Sequence, residues 1–136
     1  MINNYPWYLF KRKENSMNRL NVTLLLMLIS TAASAADYIK PNAGLSLTPQ
    51  GENMAFSINS SYGDASGVCN MDGVAQPIPA GKGQKHSWGW IDNDSNSQCV
   101  AVITEDKDGK MNVTTKGCDG YCGMSAVGSM DGLYHR

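Results

Sequence analysis

The stretch CVAVITEDKDGKMNVTT, residues 99–115, reads as two strands joined by a tight turn. Cys99 to Thr104 is a continuous apolar and β-branched run, the pattern of a central strand covered on both sides. Glu105 to Lys110 is polar and contains Asp108-Gly109, a pair that readily takes the positive φ of a hairpin. Met111, Val113 and Thr115 return along the partner strand. A hairpin of this kind has to bury its apolar side against further strands, because two strands alone are at best marginally stable in water.

Outward from this hairpin the same signals recur. Met54, Phe56 and Ile58 alternate with Ala55, Ser57 and Asn59, which places one apolar stripe on one face of a strand. Further strand candidates are Gly44 to Pro49, Gly67 to Asn70, Val74 to Ile78, His86 to Ile91 and Gly128 to Tyr134. Asn70-Met71-Asp72-Gly73 reads as another hairpin corner, and Pro77, Pro79 and Gly81 to Gly83 mark an exposed loop. One short helix fits between Cys122 and Val127; elsewhere no capped helical period is sustained. The expected fold is all-β, a small antiparallel β-sandwich or barrel.

The N-terminal third is of a different kind. Lys11 to Arg19 is basic, Val22 to Ile29 is apolar apart from Thr23, and small residues follow up to Ala33, Ser34 and Ala35. Charge, then an apolar run, then A-x-A is the order of an export signal, so residues 1–35 are expected to be removed and residues 36–136 to form one domain. Met17 is an alternative start, since Met17 to Ala35 is already a complete signal. The apolar run is shorter than the roughly twenty residues that cross a bilayer, so the processed chain is not expected to span a membrane. The full chain carries 11 basic and 12 acidic side chains, and residues 36–136 retain 7 and 11 of them, a formal charge of -4. A mildly acidic domain repels nucleic acid and attracts cationic partners.

Four cysteines, Cys69, Cys99, Cys118 and Cys122, suit a small exported domain whose core needs covalent help. Four sites allow three pairings, and sequence alone does not choose between them. The preferred one joins Cys69 to Cys99, which closes a usefully large loop, and Cys118 to Cys122, which pins the glycine-rich turn from Gly117 to Gly123. Zinc is the competing reading, but Cys69 and Cys99 lack the paired spacing of a metal knuckle, so no metal or other cofactor is expected.

Catalytic ingredients are few. His135 is penultimate, which leaves His86 as the one plausible general base, and Ser57, Ser60, Ser61 and Ser66 lie outside any nucleophile elbow. The domain is therefore expected not to be an enzyme. Asp92-Asn93-Asp94-Ser95-Asn96 begins like a calcium loop, but Ser97 stands where the turn glycine belongs and Ile103 where the bidentate acid belongs, which favours a solvated turn. In Lys85-His86-Ser87-Trp88-Gly89-Trp90 the two tryptophans and His86 share one strand face, either a recognition platform or core. Tyr62 and Tyr121 are expected at the surface.

The run C-V-A-V-I-T, the turn with D-G-K, the strand M-N-V-T-T, then C-D-G-Y-C-G and D-G-L-Y-H-R resemble the C-terminal half of small periplasmic β-proteins associated with lysozyme inhibition. The shared outline rests on Cys118, Cys122, Gly123, Asp131, Gly132 and Tyr134 and covers under half of residues 36–136. The resemblance implies a local Cys118–Cys122 bridge and a buried Tyr134 closing the sheet. The S-G-x-x-Y loop of the best-known members is absent, and Ser61-Tyr62-Gly63 and Ser66-Gly67-Val68 are loose echoes of it. The expected function is non-catalytic binding in the periplasm or outside the cell, as an inhibitor or immunity protein against a peptidoglycan-degrading enzyme such as lysozyme or an amidase. The expected contacts are Tyr62, Asp64, His86, Trp88, Asp92 and Asp94. The alternatives are a glycan-binding module stacking sugars on Trp88, Trp90 and Tyr121, or a structural envelope protein.

Overall fold

The computed structural model describes residues 34–62 and 64–136, with the side chains of residues 64–66 excepted. The expected signal over residues 1–35 thus falls, up to residue 33, outside the described residues. Eight antiparallel strands follow one another as a meander: β1 (Ala36–Lys40), β2 (Ala43–Gln50), β3 (Asn53–Tyr62), β4 (Asp64–Ile78), β5 (Gln84–Ile91), β6 (Val100–Asp106), β7 (Met111–Lys116) and β8 (Gly132–Tyr134). The last strand meets the first through Ile39 and His135, whose backbone groups exchange hydrogen bonds of 2.7 and 2.8 Å. The sheet is a nearly closed barrel, and closure removes most of the strand edges that an open sheet would leave bare.

Strand alternation builds the core. Leu45 and Leu47 of β2, Phe56 and Ile58 of β3, Met71 of β4, Trp88 of β5, Ala101 and Ile103 of β6, and Met111 and Val113 of β7 all point inward and are buried. The 99–115 hairpin forms with Ile103 opposite Val113. Gly109 takes a φ of 87° in its turn, and the carboxylate of Asp106 accepts the N–H groups of Asp108 and Lys110, each at 2.9 Å. Strand β6 is covered on its inner side, while Val100 and Val102 on the outer side stay partly exposed; its apolar run marks a two-sided environment less complete than expected.

Two expectations are corrected. Asn70 to Gly73 is not a hairpin corner, because β4 runs unbroken from Asp64 to Ile78. Gly73 serves packing instead of turning: a Cβ there would lie 2.4 Å from Nε1 of Trp90, so only glycine lets the indole lie against the strand. The bridges are Cys69–Cys122 and Cys99–Cys118, not Cys69–Cys99 and Cys118–Cys122. Cys118 follows the end of β7 beside the start of β6, where Cys99 lies, and Cys122 pairs with Cys69 of β4 across a β-bridge. The cross-strand neighbours lie 4.4 and 4.0 Å apart at Cα, so pairing across strands prevails over pairing along the chain.

The helix expected between Cys122 and Val127 is a single 3-10 turn at Met124–Ala126, preceded by another at Asp119–Tyr121. Strand β1 went unpredicted; it is short, and its alternation amounts to one buried residue, Tyr38. Tyr134 closes the sheet fully buried, its hydroxyl donating to the Met130 carbonyl at 2.7 Å, and Asp131 accepts both the N–H and the hydroxyl of Thr115. These two tyings hold the 117–131 connection across one end of the barrel, where Ala126 and Met130 are buried.

Candidate functional site

Between β4 and β5 the barrel wall is weakly paired and opens as a seam. Strand β4 pairs with β3 over most of its length, but with β5 only where Gln76, Pro77 and Ile78 face Gly89, Trp88 and Ser87. Beyond Gln76 the two strands part, because β4 stays with β3 while β5 stays with β6 through Ile91 and Val100. The result is a cleft of about 860 Å³. Trp90 and Tyr121 form its base, Asp72 and Asp92 stand at one end, and Val74, Ile78 and Ile91 line its outer lips.

The base is held by aromatic packing. Trp90 meets Phe56 edge to face at 5.4 Å on its core side and Tyr121 edge to face at 6.2 Å on the other, an arrangement the ring quadrupoles favour. Tyr121 sits between two bridged cysteines, so its backbone is fastened to β6 through Cys118–Cys99 and to β4 through Cys122–Cys69. The two bridges thus span β5 from either side and clasp the cleft at the end nearest Tyr121. The Tyr121 hydroxyl donates to Oδ2 of Asp92 at 2.5 Å. That bond, with others from Ser97 and the Asp94 N–H, holds the Asp92 carboxyl below its ordinary value of 3.8. The same bond, with partial burial, pushes the Tyr121 phenol from 10.0 up to about 12.

The lips are apolar and open. Ile91 is 74 % exposed, Val74 43 % and Ile78 40 %, three β-branched side chains gathered on one patch. Contiguous apolar surface of this kind marks interaction sites more often than scattered single residues do.

The six expected contact residues are not brought together. Tyr62, 65 % exposed, lies at the β3–β4 turn, and Asp64 opens β4 with its side chain outside the described residues. Asp92 and Asp94 lie in the β5–β6 loop at that same end. His86 sits at the opposite end of the barrel, exposed, and Trp88 beneath it is buried in the core. Trp88, Trp90 and His86 do share the inward face of β5, as their spacing predicts, with Trp88 closed against the core at 8 % exposure and Trp90 at the seam. The Asp92–Asn96 segment is a pair of side-chain-capped turns: Asp92 Oδ1 accepts the Asp94 N–H at 3.2 Å and Asp94 Oδ1 the Asn96 N–H at 2.9 Å. Among the described residues no group of His, Cys, Asp and Glu is arranged to hold a metal ion.

Asp72, Val74, Ile78 and Ile91 escape sequence reasoning. For Val74, Ile78 and Ile91 the signal is an apolar residue on the polar-facing phase of a strand, as at Ile91 directly after Trp90, and it becomes readable only once the inward phase is known; Asp72 carries no such signal. The chain matches no family model, no curated protein and no solved structure.

Proposed function

We propose that this is a non-catalytic binding protein of the periplasm or cell exterior that engages another protein through the seam cleft. The observation that carries the reading is the cluster of exposed Val74, Ile78 and Ile91 around a cleft whose base is fixed by two bridges. A rigid apolar depression recognises a protruding side chain or loop with little ordering cost, because it is formed before the partner arrives. The partner we propose is a peptidoglycan-degrading enzyme, lysozyme or an amidase, which the domain would inhibit by occluding its substrate cleft. Three things support this: the resemblance carried by Cys118 to Tyr134, the acidity of residues 36–136, and Asp72 and Asp92 at the cleft, which suit a cationic partner. The two bridges and the A-x-A segment support export into an oxidising compartment.

The test is inhibition of several lytic enzymes by the oxidised protein, with Ile91→Asp as the cleft variant. Inhibition at micromolar concentration that the variant loses while keeping its unfolding midpoint supports the reading. Unchanged lytic activity across the panel refutes the hydrolase as partner.

A second reading is favoured by one specific grouping: Trp90, Tyr121 and Asp92 in one cleft combine aromatic faces with a carboxylate, the chemistry of a glycan site. It predicts retention on insoluble peptidoglycan that Trp90→Ala abolishes. Titrating tryptophan fluorescence with lysozyme and with cell-wall oligosaccharide separates the two readings.

A further inference from the structure

We infer that the open end of the barrel, far from the seam's clasp, is a second binding site that takes a flat apolar molecule of one or two rings bearing a hydrogen-bond donor. The inference does not rest on the function proposed for the seam. Eight-stranded barrels have interiors that side chains just fill or that hold one small ligand, and their mouths are preferred ligand sites. Here the middle is filled: Ile58, Ile103 and Val113 are fully buried. At the end where β5 begins and β6 finishes, a cup of about 300 Å³ remains. For scale, an engineered apolar cavity of about 150 Å³ binds benzene.

Among the described residues the cup has an apolar wall, a polar rim at His86 and Glu105, and Ser34 beside Ala36 at its edge. Tyr38, Met54, Trp88 and Met111 line it, with Met54 partly exposed at the entrance. Glu105 lies on the inward phase of β6, two residues from Ile103, and His86 on the inward phase of β5, two residues from Trp88. His86 Nδ1 and Glu105 Oε1 are 2.8 Å apart, and the His86 ring stacks on Trp88 at 5.7 Å with planes 28° apart. Charged groups normally point outward from a strand, yet this carboxylate faces the cup and its side chain is only 19 % exposed. Its second oxygen, Oε2, forms an ion pair with Lys85 Nζ at 3.9 Å, longer than a hydrogen bond, and so keeps capacity to accept one from a ligand. A ring entering beside Trp88 continues the His86–Trp88 stack, and a hydroxyl or amine on that ring reaches Oε2. A carboxylate on the same ring is repelled.

The test is a two-dimensional NMR titration of the oxidised protein with 2-naphthol, tryptamine and 2-naphthoate, following the Trp88 indole N–H. Saturable shifts centred on Trp88, Met54 and Glu105 with naphthol or tryptamine, and none with naphthoate at equal concentration, are the expected result. Tryptamine alone binding assigns the donor as a cationic amine; binding of naphthol as well shows that a neutral hydroxyl suffices. Glu105→Gln should weaken binding about tenfold, the loss of one hydrogen bond to a charged acceptor. Met54→Trp, which fills the cup, should abolish it. Equal binding of naphthoate, shifts spread over the surface, or binding unaltered in both variants overturns the inference.

Discussion

The two ends of this barrel are built on opposite plans. One end carries the turn at 41–42, the β3–β4 turn, the β5–β6 loop and the long 117–131 connection, and both bridges lie there. A segment crosses it and buries Ala126 and Met130. At the other end three hairpin connections meet, and among the described residues side chains line the mouth, with Ser34 and Ala36 at its edge. Covalent links in this chain thus sit where the polypeptide is irregular, whereas regular hairpins rely on ladder hydrogen bonds and turn chemistry. The seam cleft lies toward the fastened end and the cup at the unfastened one, so the binding proposed at each end should respond differently to the same perturbation.

Loss of the bridges should perturb the fastened end most. Replacing both members of Cys69–Cys122 by alanine should cost about 4 kcal/mol, and of Cys99–Cys118 about 3 kcal/mol, since the sequence separations are 53 and 19 and longer closed loops restrict the unfolded chain more. Urea unfolding measures both losses; a cost below about 1 kcal/mol for each pair contradicts the role given to the clasp. Next comes Gly73→Ala, which drives a Cβ to within 2.4 Å of the Trp90 indole and should destabilise by about 1–3 kcal/mol with a shift in tryptophan emission. Gly89→Ala, whose Cβ would meet only Ile78 at 3.3 Å, is the milder control at the same seam.

Smaller again is the Tyr121–Asp92 tie. The lowered Asp92 carboxyl makes this contribution present above 3.8 and lost as pH falls through the still lower folded value. The raised Tyr121 phenol makes its part present below 10.0 and lost as pH rises through about 12. Ultraviolet titration of phenolate should therefore show a phase near 12 that is missing in Tyr121→Phe, while Tyr134, buried, ionises later still. The smallest effect belongs to the open end: Gly109→Ala, at a φ of 87°, should cost about 1 kcal/mol by thermal melting and leave the seam's binding unchanged. Equal sensitivity of both sites to every one of these changes would erase the distinction between the ends.

Much of the fold is legible in residues 99–115 and 54–58, where period-two patterning and an Asp-Gly turn specify strands without help from distant contacts. Misreadings occur where a residue answers to a remote neighbour. Gly73 looks like a corner because nothing local reveals that Trp90, in the next strand, occupies the place of its side chain. Cys118 and Cys122 look like partners because sequence distance is visible and sheet register is not. The buried Tyr134 that closes the sheet agrees with what the resemblance implies, whereas the tie of Asp131 to Thr115 reaches across to β7 and is not legible locally. Of the seam, Trp90, Tyr121 and Asp92 each stand out in the sequence singly, but their convergence follows from where β4 and β5 separate, which depends on the register of a whole sheet.

The nested order of the bridges also bears on biogenesis. A chain emerging from its N-terminus presents Cys69 and Cys99 first, and an oxidant that joins thiols as they arrive would couple these two and then trap Cys118 with Cys122. Both bonds would be wrong. Reaching the native arrangement from there requires thiolate attack and exchange, which without an isomerase is slow, so the yield of this protein should follow the capacity of its host to reshuffle sulfur rather than to oxidise it.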